Sequence, residues 1–117
     1  MKVEGLRKTR MEDLVQREIA FLLIDGVKEP KLQGELITVT RVEMTVDFKL
    51  ARVYVSILKE ADREKILDGL KKATGFLKSQ VSRNLKMRYT PDLEFKIDDS
   101  LDHVQRIEQL LNQSKKS

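Results

Sequence analysis

The apolar residues of this chain change their period along its length, and that change limits what it can fold into. From Met11 they recur three and four apart through Leu14, Val15, Ile19, Leu22 and Leu23, the pattern of a helix with one buried stripe. Thr9 and Glu12 fit a capping box at its start, and Asp25-Gly26 marks its end. The period then drops to two. In Leu36–Met44, Ile37 and Val39 alternate with threonines, and Val42 and Met44 continue the alternation with its parity reversed. A β-bulge near Arg41 accounts for that reversal. After a turn over Thr45–Phe48, the run Leu50–Leu58 places Ala51, Val53, Val55 and Ile57 on one face. Beyond Ala61-Asp62 the helical period returns in Ile66, Leu67, Leu70, Ala73, Leu77, Val81 and Leu85, with Gly75 in its middle. Pro91 precedes a third alternating run, Leu93–Ile97. Leu101, Val104, Ile107 and Leu111 have helical spacing at the end.

These elements predict the order α-β-β-α-α-β with one extra helix. Two consecutive strands form an antiparallel hairpin, and a third that returns across a helical crossover lies parallel to its neighbour. The expected fold class is therefore α+β, with helices packed on one face of a three-stranded mixed sheet. The 117 residues suit a single domain over 1–117. Its ordered core is expected from about residue 7 to 111, with a flexible basic tail at 112–117.

Composition excludes several chemistries. With no Cys and one His, disulfides, thiolate catalysis, zinc fingers and Fe–S clusters are out of reach. No stretch approaches the roughly 18 apolar residues of a membrane span, and the N-terminus lacks a secretory apolar region. A cytoplasmic protein without metal, cofactor or membrane partner is expected. Asp98, Asp99 and Asp102 form a carboxylate cluster, but Asp98 to Ser100 read as the cap of the final helix rather than as part of a metal or acid–base site. His103 reads as an inert surface residue. Phe21, Phe76 and Phe95 read as core, and the aromatics are too dispersed for a base-stacking platform. Nothing marks a nucleophile–base pair or a phosphate-cradling glycine loop. No catalytic residue is assigned.

Lys plus Arg number 23 against 19 Asp plus Glu, but the surplus is not spread evenly. Gly69–Pro91 holds Lys71, Lys72, Lys78, Arg83, Lys86 and Arg88 with no acid, so the rest of the chain is slightly acidic. On a wheel of 100° per residue with Lys71 at about 0°, Lys72, Lys78, Arg83 and Lys86 fall at roughly 100°, 340°, 120° and 60°. Ser79 and Ser82 fall among them, at roughly 80° and 20°, and the apolar stripe lies opposite. A solvated helix face ordinarily mixes both signs, because opposite charges four apart stabilise a helix. A face of one sign points to a polyanion recognised through phosphate and shape. Gly75, beside Thr74, weakens the helix there. It either kinks the chain so that a polyanion backbone can approach, or permits tight packing on the sheet.

The predicted order resembles the type II KH fold. The Gly-x-x-Gly loop of KH domains is absent, and Ala73-Thr74-Gly75 stands between the two central helices instead. That Ala-x-Gly helix-kink-helix is similar to the one in the ribosome-binding factor A family of bacteria. Arg7-Lys8-Thr9-Arg10, Val42–Asp47 leading into Ala51–Val55, and Tyr89–Phe95 with Asp98 and Ser100 match the same family. The resemblance runs from about Arg7 to Leu111. It implies a KH-like, monomeric factor of small-subunit biogenesis that binds the immature 30S subunit and its 16S rRNA near the 5′-terminal helix. It further implies help in late rRNA processing, greatest importance in the cold, and a link to a subunit-associated GTPase. Carried onto this chain, the RNA-binding residues are Arg7, Lys8 and Arg10 with Lys71, Lys72, Lys78, Ser79, Ser82, Arg83, Lys86 and Arg88. The long charged C-terminal extension of some family members has no counterpart before Ser117. Two other classes fit the residues: a general KH-like RNA module without a ribosomal role, and a protein-interaction domain docking on an acidic partner.

Overall fold

The computed structural model of the chain describes residues 3–98. Helix α1 spans Val3–Asp25, a 3-10 turn Pro30–Leu32, strand β1 Ile37–Met44, strand β2 Leu50–Ile57, helix α2 Arg63–Leu85 and strand β3 Asp92–Ile97. The sheet order is β1-β2-β3. β1 pairs antiparallel with β2, and β2 pairs parallel with β3, as the connection lengths require. The α+β architecture expected from the periods is therefore present, in the shorter order α-β-β-α-β. The expected final helix, with Asp99, Ser100, Asp102 and His103, lies outside the described residues.

The register of β1 on β2 shifts between Val39 and Arg41, so the parity reversal in the sequence is a bulge at Thr40. It lets Val39, Val42 and Met44 all face inward and become buried. The carbonyls at the bulge are not left bare: the Gln16 amide of α1 donates to the Val39 and Thr40 oxygens, both at 3.3 Å. At the other end of the strand Glu12 accepts from the Met44 N–H at 2.7 Å. Two side chains of α1 thus fix the helix along β1 and blunt that sheet edge.

That use of Glu12 explains one correction. The Thr9–Glu12 capping box does not form, because α1 already begins at Val3 and Thr9 lies inside it. An N-cap residue must stand outside the helix. Arg7, expected at the start of the ordered core, lies inside the same helix.

A second correction concerns α2. The two central helices expected around Ala73-Thr74-Gly75 are one uninterrupted helix of 23 residues. The apolar stripe keeps its phase across Gly75, and Ile66, Leu70, Ala73, Leu77 and Val81 are all buried. Burial at that many positions outweighs the roughly 1 kcal/mol that a helical glycine costs. The Thr74 hydroxyl donates back to the Leu70 carbonyl at 2.8 Å, so it needs no break to be satisfied. Nor is Gly75 a packing glycine. It is exposed, and a Cβ there would meet nothing within 4 Å. The packing glycine is Gly69, where a Cβ would stand 2.8 Å from Leu32 Cδ2 and 3.0 Å from Lys31 Cβ. Its bare backbone lets α2 press on the 3-10 turn.

The aromatics also depart from expectation. Phe95 packs partly buried against the core, but Phe21 is 65% and Phe76 44% exposed. The inner face of α1 is filled by Val15, Ile19 and Leu22, and that of α2 by Ala73 and Leu77. Phe21 and Phe76 sit out of phase with those stripes, on the solvent side.

Both ends of α2 are capped. Asp62 accepts from the Lys65 N–H at 3.1 Å. At the other end Lys86 takes a left-handed backbone, φ 54° and ψ 46°. The Met87 N–H then reaches the Ser82 carbonyl at 3.0 Å, the closure usually made by glycine.

Candidate nucleic-acid interface

The outer face of α2 carries the expected cations, and the strand that follows decides which are free. Lys71, Lys72, Arg83, Lys86 and Arg88 are exposed, and Lys78 is half-buried. Lys78 Nζ lies 2.6 Å from the Asp92 carboxylate at the start of β3, and Lys72 Nζ lies 3.5 Å from Asp68 one turn earlier. Both acids fall just outside the acid-free window. The expectation of a face without counter-charge is thus corrected at these two lysines. Among the described residues, Lys71, Arg83 and Lys86 make no ion pair. Arg88 stacks its guanidinium 5.6 Å from the Tyr89 ring centre.

Asp68 is itself shared. Its carboxylate bonds the Lys31 ammonium first and Lys72 second, which together hold it below the usual carboxylate range. Lys31 is raised correspondingly by that bond. Within the Gly69–Pro91 window, Lys72 and Lys78 are thus the two cations that ion pairs tie to the fold.

Two adjoining concavities organise the rest. Gly75, Lys78, Ser79, Ser82 and Arg83 line a shallow groove of about 380 Å³ together with Thr90. The glycine, both serines and two of the cations singled out from the sequence thus share one surface. Ser79 and Ser82 carry hydroxyls that can donate to phosphate oxygens there. Thr90 also lines a larger hollow of about 810 Å³, where the N-terminal turns of α1, the β1–β2 turn and the end of α2 meet. That hollow brings Arg7, Lys86 and Arg88 beside Lys49, Phe48, Met11, Met87 and Tyr89. Arg7 thereby joins the α2 cations. Lys8 does not: it lies 3.8 Å from Glu12. Arg10 lines neither concavity, and Lys71 stands apart on the exposed helix.

Sequence reasoning missed Phe48, Lys49, Tyr89 and Thr90. Its judgement that the aromatics are dispersed is true along the chain but not in space. The parallel register that sets Leu50 opposite Asp92 carries Phe48 and Tyr89 to the same hollow. No local signal in the sequence encodes that pairing.

The open face of the sheet is a mixed-sign lattice with no surplus to offer. Arg52 pairs with Glu94 at 3.1 Å and Arg41 with Glu43 at 3.0 Å, and Arg41 also lies 4.0 Å over the Tyr54 ring. Asp98 accepts from the Thr40 hydroxyl at 2.8 Å, so its carboxylate ties the end of β3 to the bulge. Among the described residues no group of three or more metal-ligating side chains converges, and no helix is long and apolar enough to cross a membrane.

The family model described as "Ribosome-binding factor A" matches residues 7–111. Ribosome-binding factor A of Moorella thermoacetica is 39% identical over 106 residues, covering 90% of this chain and 87% of that protein. The Macrococcus caseolyticus protein of the same name is 39% identical over 108 residues, covering 92% and 93%. Among solved structures, the crystal structure of ribosome-binding factor A from Thermus thermophilus superposes with a TM-score of 0.67. It is 30% identical and covers 77% of this chain and 94% of that one. The coordinates of a Thermus thermophilus ribosome-binding factor A homology model, fitted into a cryo-electron-microscopy map of a 30S–RbfA complex, superpose with a TM-score of 0.66 at 29% identity. They cover 80% of this chain and 97% of that one.

Proposed function

This chain belongs to the ribosome-binding factor A family, and from that premise we propose that it binds the small ribosomal subunit during its assembly. The observation that carries the reading is the groove of Gly75, Lys78, Ser79, Ser82 and Arg83, continued past Thr90 to Arg7, Lys86 and Arg88. Cations and hydroxyls along one helix, joined past its end by further cations, suit an rRNA backbone read by phosphate and shape. The relative fitted into a 30S complex supports the choice of 16S rRNA over RNA in general.

On this reading the KH-like domain works by binding and not by catalysis. It acts as a monomer in the cytoplasm, where subunits are built. It assists late processing near the 5′-terminal helix, is most needed in the cold, and is released with the help of a subunit-associated GTPase. Arg7 and the α2 cations hold the rRNA, while Lys8 and Arg10 serve as peripheral contacts.

Sedimentation tests the core of the proposal. The protein should co-migrate with immature 30S subunits on a sucrose gradient and move to the top of the gradient as salt rises. Migration with bulk RNA but not with subunits would reduce it to a general RNA module. Capture of a partner that survives nuclease treatment, without subunits, would replace RNA by an acidic protein.

A further inference from the structure

We propose that the hollow between the start of α1 and the end of α2 is a pocket for one unpaired nucleotide of the bound RNA, its base seated on an apolar floor and its phosphate held at a cationic rim. The inference deepens the RNA-binding reading above and rests on it.

The lining divides into two chemistries. Met11, Phe48, Leu85, Met87 and Tyr89 give an apolar surface, in a protein whose remaining binding surface is polar. Phe48 packs partly buried against the core, so its ring is a fixed floor, while Tyr89 is 78% exposed at the mouth. Around them stand Arg7, Lys49, Lys86 and Arg88. The acids in the same lining are already engaged. Asp92 pairs with Lys78 at 2.6 Å. Asp47 accepts from the Thr45 hydroxyl at 2.7 Å and from the Lys49 N–H at 3.1 Å. Those two bonds hold Asp47 below the usual carboxylate range. Arg7, Lys49 and Lys86 make no ion pair among the described residues. The rim therefore offers positive charge to something from outside, and the floor offers a flat apolar face. An unstacked base with its phosphate presents both counterparts.

The backbone adds an independent observation. Among the described residues, two that are not glycine adopt the left-handed conformation: Phe48 at φ 61° and Lys86 at φ 54°. Both line this hollow. Glycine or asparagine would serve a hairpin turn and a helix C-terminus with less strain. An aromatic and a lysine stand there instead. Strained positions gather where a side chain is needed in place.

A duplex cannot enter a hollow of about 810 Å³, but a single extruded nucleotide can, so the pocket should respond to bulges. The assay uses one RNA hairpin in two forms, fully paired and with a single bulged adenosine, titrated by fluorescence anisotropy. The wild-type protein should bind the bulged form about five- to hundredfold more tightly. Tyr89→Ala should bring that ratio close to one without lowering the melting temperature, and Tyr89→Phe should restore it. Lys71→Gln with Arg83→Gln should weaken both hairpins equally and keep the ratio. If the wild type binds both forms alike, or Tyr89→Ala leaves the preference intact, the pocket is not a nucleotide site and the phosphate-binding groove stands alone. If neither hairpin binds in low salt, the RNA reading itself fails and the pocket with it.

Discussion

Replacing Gly75 by alanine should make the protein more stable and a poorer RNA binder at once. The stability part follows from three observations. Gly75 lies inside α2, its backbone is helical, and an added Cβ would meet nothing within 4 Å. Alanine then gains the full helical advantage over glycine, about 0.8–1.0 kcal/mol. For a domain of this size the melting temperature should rise by about 3–4 °C. The binding part follows from the groove, where Gly75 lies among Lys78, Ser79, Ser82 and Arg83. A methyl group there holds an approaching phosphate back by about the length of one carbon–carbon bond. Moving it from about 4 to 5.5 Å from the Arg83 charge costs up to about 1 kcal/mol at an effective dielectric constant near 20, roughly fivefold in affinity. Differential scanning calorimetry and an anisotropy titration on the same preparation measure both. Gly69→Ala is the internal control. The same propensity gain is offset there by overpacking against Leu32 and Lys31, about 1–3 kcal/mol, so its melting temperature should fall. If Gly75→Ala melts higher but binds with unchanged affinity, close approach of the RNA at Gly75 is refuted. If it melts lower, the continuous exposed helix is refuted.

Lys71→Gln with Arg83→Gln, two cations without an ion pair among the described residues, should reduce the slope of log K against log salt by about 1.4–1.8; Lys115→Gln with Lys116→Gln, outside the described residues, should barely change it, and equal effects would mean that net charge governs binding. Asp92→Asn should tighten RNA binding, because it frees Lys78 from the carboxylate 2.6 Å away; an unchanged Kd would show that the pair already opens in the complex. Lys31 first and Lys72 second hold the Asp68 carboxyl below its usual 3.8, so the stability this group adds is present above that pH and lost as pH falls through the depressed value. Asp68→Asn should therefore melt lower than wild type at neutral pH, with the gap closing on acidification below about pH 4; a gap that persists at low pH would assign the loss to something other than the ion pairs.

The elements were legible wherever one periodicity ruled a segment. The bulge is the sharpest case, since the change of parity between Val39 and Val42 allows no other regular solution that keeps both inside. Both are buried. What misled was punctuation. Thr9–Glu12 looks like a cap, yet the Glu12 carboxylate is spent on the Met44 N–H of a strand distant in sequence. Gly75 looks like a break, yet the stripe on either side is long enough to carry the helix through it. Local signals state what a residue is able to do, and tertiary contacts choose among the options.

The candidate site divides along the same line. Lys78, Ser79, Ser82 and Arg83 lie on one helix, so a wheel brings them together without any knowledge of the fold. Arg7, Phe48, Lys86 and Tyr89 meet only because β3 pairs parallel to β2 and α1 lies along β1. The same parallel pairing starts β3 at Asp92 and so places a carboxylate against Lys78. One strand thus does two opposing things to the interface: it removes a cation from the groove on α2 and assembles a pocket beside it. A variant that shortened β3 from its start would release Lys78 while dispersing the lining at Tyr89 and Thr90. Its effect on RNA binding would be the difference of two terms, which is why single substitutions at Asp92 and Tyr89 separate what a deletion would blur.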